Sequence, residues 1–275
     1  MCHDHECTNY SSARWLTSAL ETSIAVQKMT VESILQNNGS CQDDDRKAID
    51  EYLEDVVELL DSCNRLRDRL ESVQKYIESL RTVLHCLDER CFEPSEAMLG
   101  RARAGLEFCE TMERRCAMLD KCSSGLSSEL PAILSCSKAI SILTCGVFDI
   151  ALSFKSKRGL PMIQHGNTTA RSSYLQELHK ELKEEIEKRR KLSNVVFNEL
   201  REVVSAAKNL RDLVNSRWHE NKARQVELRT SVQQVRRTCD VLEEGIRPFE
   251  GRINELYRNL ISTRVALLDF LSLTN

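Results

Sequence analysis

Between Ile49 and Leu87 the apolar residues recur at steps of three or four: Ile49, Leu53, Val56, Leu60, Cys63, Leu66, Leu70, Val73, Ile77, Leu80, Leu84 and Leu87. A strand turns alternate side chains to opposite faces, so only a helix keeps this set on one side. A seam sustained over so many turns predicts a long helix packed along its whole length on a neighbour, in coiled-coil-like fashion. The acidic run Asp43, Asp44 and Asp45 opens this helix, because negative charge complements the positive end of the helix dipole.

The rest of the chain follows the same logic. Ser11 or Ser12 caps a first helix that carries Trp15, Leu16, Leu20, Ile24, Met29 and Ile34 and stops near Gly39. A third helix is predicted from Pro94 to about Leu119, residues 122–130 read as a loop, and Pro131 starts a fourth helix that reaches Phe154. Residues 155–171 hold Gly159, Pro161, Gly166 and Asn167 without periodicity and read as a linker. From Ser172 on, Leu175, Leu178, Leu182, Ile186, Val196, Leu200, Val203, Leu210 and Val214 mark one face of a single extended helix. A break near Trp218, His219 and Asn221 is allowed but not demanded. Helix continues through Val226, Val232, Val235, Cys239 and Leu242 to Gly245, read as a C-cap, and Pro248 starts a terminal helix that ends near Leu273.

Aromatic residues make up only 5% of the chain, against 41% hydrophobic and 29% charged, and there are few Gly and Pro, which favours helix over sheet. The expected fold is therefore all-α: an elongated antiparallel bundle of long helices with coiled-coil-like packing. Its parts are a disordered tail (1–10), an N-terminal helical region (11–154), a linker (155–171), and C-terminal long helices (172–275) that pack on the N-terminal region. No repeat of fixed period is present.

The formal net charge of -3 gives no general reason to bind nucleic acid or an anionic membrane. It is unevenly spread, about +4 over residues 171–275 and -7 over residues 1–170, which suits helices of one half packing on the other. The start, MCHDHECTNY, has neither a secretory h-region nor the character of a transit peptide, so a reducing, cytoplasmic setting is the expectation. The twelve cysteines are then core filler for the most part, including Cys63, Cys109, Cys136, Cys145 and Cys239.

No constellation suggests catalysis. Cys2, His3, His5 and Cys7 carry metal-ligand chemistry but lie crowded in a tail with no second ligand pair at finger-like spacing. The pairs Cys86/Cys91 and Cys116/Cys122 match neither a CxxC redox motif nor a zinc knuckle. His85, His179 and His219 are scattered, with no Cys/His or Ser/His/Asp arrangement around them. The run Glu181, Glu184, Glu185 and Glu187 interleaves with Lys180, Lys183, Lys188, Arg189, Arg190 and Lys191, the pattern of a solvated helix surface. Phosphate loops, dinucleotide fingerprints, zincin motifs and nucleophile elbows are missing, so no catalytic residue, cofactor or metal site is expected.

Residues 132–152 are the most apolar stretch and are long enough to cross a bilayer, with Lys155, Lys157 and Arg158 behind them. On a helical wheel Ala132, Cys136, Ala139, Ile140, Leu143, Val147, Ile150 and Ala151 gather on one side, the expected core face. Ser137, Lys138, Ser141, Thr144 and Asp149 lie opposite, the expected solvated face, on which Leu134, Phe148 and Leu152 intrude. Two charges favour a helix of the bundle over a span.

Five segments, in order, resemble the plant BYPASS family: ARWLTSALETSI at 13–24, IDEYLEDVVELLDSCNRLRDRLESV at 49–73, GRARAGLE at 100–107, CGVFDIALS at 145–153 and INELYRNLISTRVALLDFLS at 253–272. Family members commonly carry a longer stretch before the first helix, whereas here Trp15 comes almost at once. The resemblance implies a plant protein of growth and development, in a family whose founding member restrains a root-derived signal that would otherwise arrest the shoot. It implies no established catalytic reaction. The expected function is thus a non-enzymatic regulatory or scaffold role through protein–protein contacts on helix faces, with membrane association through the apolar helix near 132–152 as the alternative. Proteins are the expected partners, no nucleic acid is, and self-association and peripheral membrane contact stay open.

Overall fold

The computed structural model of the chain describes residues 10–36, 43–87, 95–115, 129–155, 159–162, 170–216 and 222–273. Among them are seven helices and no strand: α1 (Ala13–Gln36), α2 (Asp43–Cys86), α3 (Glu96–Arg115), α4 (Glu129–Ala151), α5 (Ala170–Leu192), α6 (Asn198–Asn215) and α7 (Lys222–Leu273). The expectations for residues 1–9 and for the breaks at 37–42 and 217–221 fall outside the described residues.

Two helices dominate. The 44 residues of α2 and the 52 of α7 give rods about 66 and 78 Å long. They run antiparallel: Arg67 Nε donates to Asn254 Oδ1 at 2.9 Å, and Arg81 bonds Asp240 and Glu243 nearer the start of α7. Four further helices cover this pair in two tiers, and α5 packs on α4. In the first, α1 and α4 pack on each other, α4 on the first half of α2 and α1 on the second half of α7; in the second, α3 and α6 close the remaining halves. Tier two is antiparallel throughout the pairs its contacts define: Tyr76 meets Glu113 while Gly105 faces Val83, and Arg103 reaches Val214 O while Arg211 reaches Glu110. Tier one is mixed. Arg252–Glu21 and Asn259–Ile24 set α1 parallel to α7, and Lys138–Asp55 and Arg69–Asp149 set α4 parallel to α2. Because α3 returns along α2, the chain can begin α4 in the same direction as α2.

Aromatic rings fill the junction of the tiers. Tyr76 stacks on Phe154 at 4.8 Å, and Phe249 takes Phe148 at 5.0 Å and Phe197 at 6.2 Å. All five rings are buried, and their large side chains join both long helices to α4 and the start of α6.

Local starts follow their capping chemistry. Ser12 Oγ accepts Trp15 N–H at 3.3 Å and Ser95 Oγ accepts Met98 N–H at 3.3 Å, each satisfying a first-turn donor. The start of α1 is also tied to α6, through Asn198 N–H to Ser11 O at 3.1 Å and Ala13 N–H to Glu199 Oε1 at 3.0 Å.

Three expectations need correction. The extended helix from Ser172 is broken at 193–197, where Val195, Val196 and Phe197 are all buried. Ser193 Oγ accepts the Val195 N–H at 3.2 Å in place of a helical carbonyl, and the chain extends, with Phe197 at φ -67 and ψ 123 and its ring against Phe249. Gly245 does not cap a helix, and Pro248 does not start one: α7 runs through both. A Cβ at Gly245 would lie 3.0 Å from Ala13 Cβ, so this glycine lets the start of α1 close onto α7. Pro248 only removes the donor for Glu244 O, a local loss that packing along both tiers outweighs. In the α2 seam, Leu59 is buried and Leu60 only half-buried; the remaining apolar positions are buried as the spacing predicts.

Candidate functional site

The α4 wheel is buried on both sides: Ala139, Leu143, Val147, Ile150 and Ala151 lie in the core as expected, but the opposite face is not solvated. Ser137, Ser141 and Thr144, placed by the sequence on a solvated face, are buried, as are Leu134, Phe148 and Leu152 beside them. The face is inward because α1 and α2 present polar groups of their own. Ser141 Oγ lies 2.9 Å from Ser23 Oγ and accepts Gln27 Nε2–H at 2.9 Å; Gln27 Oε1 in turn accepts the Tyr52 hydroxyl at 2.5 Å, and that hydroxyl lies 3.3 Å from Ser137 Oγ. Ser23, Gln27, Ser137 and Ser141 have no exposed surface at all. Such groups would be costly unpaired, and together they fix how three helices meet. Burial, opposed by the bonds to Ser137 and Gln27, pushes the Tyr52 hydroxyl up to about 12, so it stays a donor.

Charges flank this network on the same helix pair. Lys138 Nζ bonds Asp55 Oδ1 at 2.5 Å, and Arg69 Nε bonds Asp149 Oδ1 at 3.1 Å. Burial raises the Asp55 carboxyl above its ordinary value even against the Lys138 bond. Both charged residues of the α4 wheel are thereby paired inside the chain.

A pocket of about 320 Å³ opens beside these pairs, between α2, α4 and the strap at 159–162. Leu59, Leu66 and Ile150 form apolar wall, and Asp55, Asp149 and Cys145 supply polar atoms. The strap lies close because residue 146 is glycine: a Cβ there would sit 2.5 Å from Pro161 Cδ. His179 Nε2 holds the strap from α5, 3.0 Å from Pro161 O, an acceptor that makes Nε2 the donor. The volume is at the lower end of small-molecule sites.

The sequence candidates fare unevenly. Cys2, His3, His5, Cys7, Cys91, Cys116, Cys122 and His219 fall outside the described residues. Cys86 is half-buried and His85 exposed at the end of α2, and His179 serves the strap. Of the α5 carboxylates, Glu185 pairs with Arg189 at 2.7 Å and Glu181 accepts the Tyr10 hydroxyl at 2.8 Å. Among the described residues no three His, Cys, Asp or Glu side chains are grouped to hold a metal ion. Sequence reading missed the network, although it left a signal: Ser23 and Gln27 fall at helical spacing among Leu20, Ile24 and Ile34, where a plain core face would be apolar.

A family model described as Protein BPS1 matches residues 27–269, which takes in all of the network except Ser23. Two curated relatives, each named UPF0496 protein 4, come from Oryza sativa subsp. japonica and Oryza sativa subsp. indica. Each is 29% identical over 199 residues, covering 65% of this chain and 43% of the relative, so the match takes in less than half of their length. No solved structure matches.

Proposed function

The chain belongs to the BPS1 family, the BYPASS family that its segments resemble, and from that premise we propose that it is a non-enzymatic regulatory or scaffold protein of plant growth and development. It acts by docking partner proteins on helix faces, in restraint of a root-to-shoot signal. Family membership supports a developmental role in general terms. The observation that carries the docking mode is on α7: Ile261, Val265 and Leu268 are 41%, 53% and 48% exposed, while Leu260, Leu267 and Leu271 face the core. The three exposed residues stand at i, i+4 and i+7, so the end of α7 is apolar on both sides, as a helix that meets a second protein would be.

The test is a graft. Shoots are joined to rootstocks that lack the protein and carry either the wild-type chain or Ile261→Asp/Val265→Asp/Leu268→Asp, with circular dichroism confirming that the variant folds. Wild-type rootstocks are expected to sustain the shoot and variant rootstocks to arrest it. A folded variant that sustains the shoot as well as wild type removes the docking face.

Membrane association through α4 is the second reading. Ile133–Ala151 is, by length and composition alone, the one span among the described residues able to cross a membrane. The buried hydroxyls and paired charges of α4 favour the bundle instead. Retention in the pellet after alkaline carbonate washing would establish the second reading, and release would remove a span.

A further inference from the structure

We propose that Cys63 of α2 and Cys145 of α4 form a reversible thiol–disulfide site, oxidised by a small hydroperoxide that enters the pocket between these helices. The register of the two helices brings the residues level, and a side-chain bond joins them. The ion pairs Asp55–Lys138 and Arg69–Asp149 fix the parallel register of α2 and α4, and within it residue 63 falls level with residues 144–145. The Cys63 thiol is also directly hydrogen-bonded to Cys145. Both residues are buried, and Cys145 alone of the two lines the pocket.

The chemical setting separates this pair from the other buried cysteines. The bond from Cys145 and the cations Arg67 and Arg65 pull the Cys63 thiol below its ordinary value, against the effect of burial. Cys109 and Cys239, in tier two, are pushed up to about 12 by burial. Thiolate is the nucleophile, so the first pair is the reactive one and the second inert. Cys145 is the donor in that bond, so the negative charge of the ionised pair sits on Cys63, which stands ready to take the proton of Cys145, the sulfur at the pocket wall.

The pair gives up one proton from Cys63; the Cys63 thiolate then takes the Cys145 proton as the Cys145 sulfur attacks the outer peroxide oxygen. The O–O bond breaks, and the leaving alkoxide takes the proton first given up and departs as an alcohol, or as water from hydrogen peroxide. The Cys63 sulfur then attacks the Cys145 sulfenic acid, forming the S–S bond; hydroxide leaves and takes the Cys63 proton as water. Two thiols are oxidised, one peroxide is reduced, and α2 becomes covalently joined to α4.

The full reduced chain, exposed to hydrogen peroxide, quenched in acid, alkylated and digested without reductant, tests this by peptide mass spectrometry. The Cys63–Cys145 linked peptide should accumulate at least about tenfold faster than any oxidised product of Cys109 or Cys239. It should vanish with dithiothreitol, and the oxidised chain should melt at a higher temperature than the reduced one. Cys145→Ser should leave Cys63 without a linked partner; if that variant does not fold, the wild-type map decides alone. The proposal is overturned if Cys63 and Cys145 oxidise no faster than Cys109 and Cys239, or if Cys63 links to another of the twelve cysteines instead.

Discussion

The Tyr52 hydroxyl donates to Gln27 Oε1 at 2.5 Å, joining α2 to α1 across a core in which both residues are almost wholly enclosed. Each single replacement strands the other polar atom. Tyr52→Phe leaves the Gln27 carbonyl without its donor, and Gln27→Leu leaves the hydroxyl only Ser137 at 3.3 Å. Each should cost ~1–3 kcal/mol in urea unfolding. The double variant should cost clearly less than the sum, because it removes both stranded groups; strict additivity would mean that the bond is not made.

The α2 seam makes a graded prediction. Leu59 and Leu70 are each 2% exposed, whereas Leu60 only borders the core. Leu59→Ala and Leu70→Ala should each lower stability by ~2–5 kcal/mol. Leu60→Ala should cost less than half as much. Equal losses at Leu59 and Leu60 would show that the seam is rotated from the position described.

A pH effect follows from tier two. Burial raises the Glu113 carboxyl above its ordinary value of 4.5, more than the Tyr76 hydroxyl and Arg211 lower it. The folded state therefore holds this proton more tightly than the unfolded chain. The resulting stabilisation is fully present below 4.5 and is lost as pH rises through the folded value, so at neutral pH the site carries a half-buried charge. Glu113→Gln keeps an acceptor for Tyr76 and should melt higher than wild type at pH 7, with the gap closing as pH falls below 4.5. A variant less stable at pH 7 than at low pH, relative to wild type, would reverse the sign and refute the assignment.

The parts legible in the sequence are those where one helix's own pattern decides the outcome. The α2 seam is long and strictly periodic, so its class and nearly all its buried positions could be read, and Leu59 for Leu60 is a rotation of one residue. The parts that were not legible depend on a second helix. On the α4 wheel Ser137 and Ser141 look solvated until Ser23, Gln27 and Tyr52 are known to face them. Gly245 and Pro248 resemble punctuation, yet one permits a close approach and the other is carried by packing on both sides. Cys63 and Cys145 are ordinary core positions in isolation; only the register set by two ion pairs brings them level.

Buried polar contacts lock α4 into the bundle, and native-state hydrogen exchange of its backbone amides is the direct measurement of that lock. Amides from Ser137 to Ile150 should be protected to the same degree as those of α2 between Val56 and Leu70, because the two helices share one core and open together. Exchange in α4 about a hundredfold faster than in that part of α2, with α2 and α7 still protected, would mean a helix that leaves the bundle on its own, and would contradict the account.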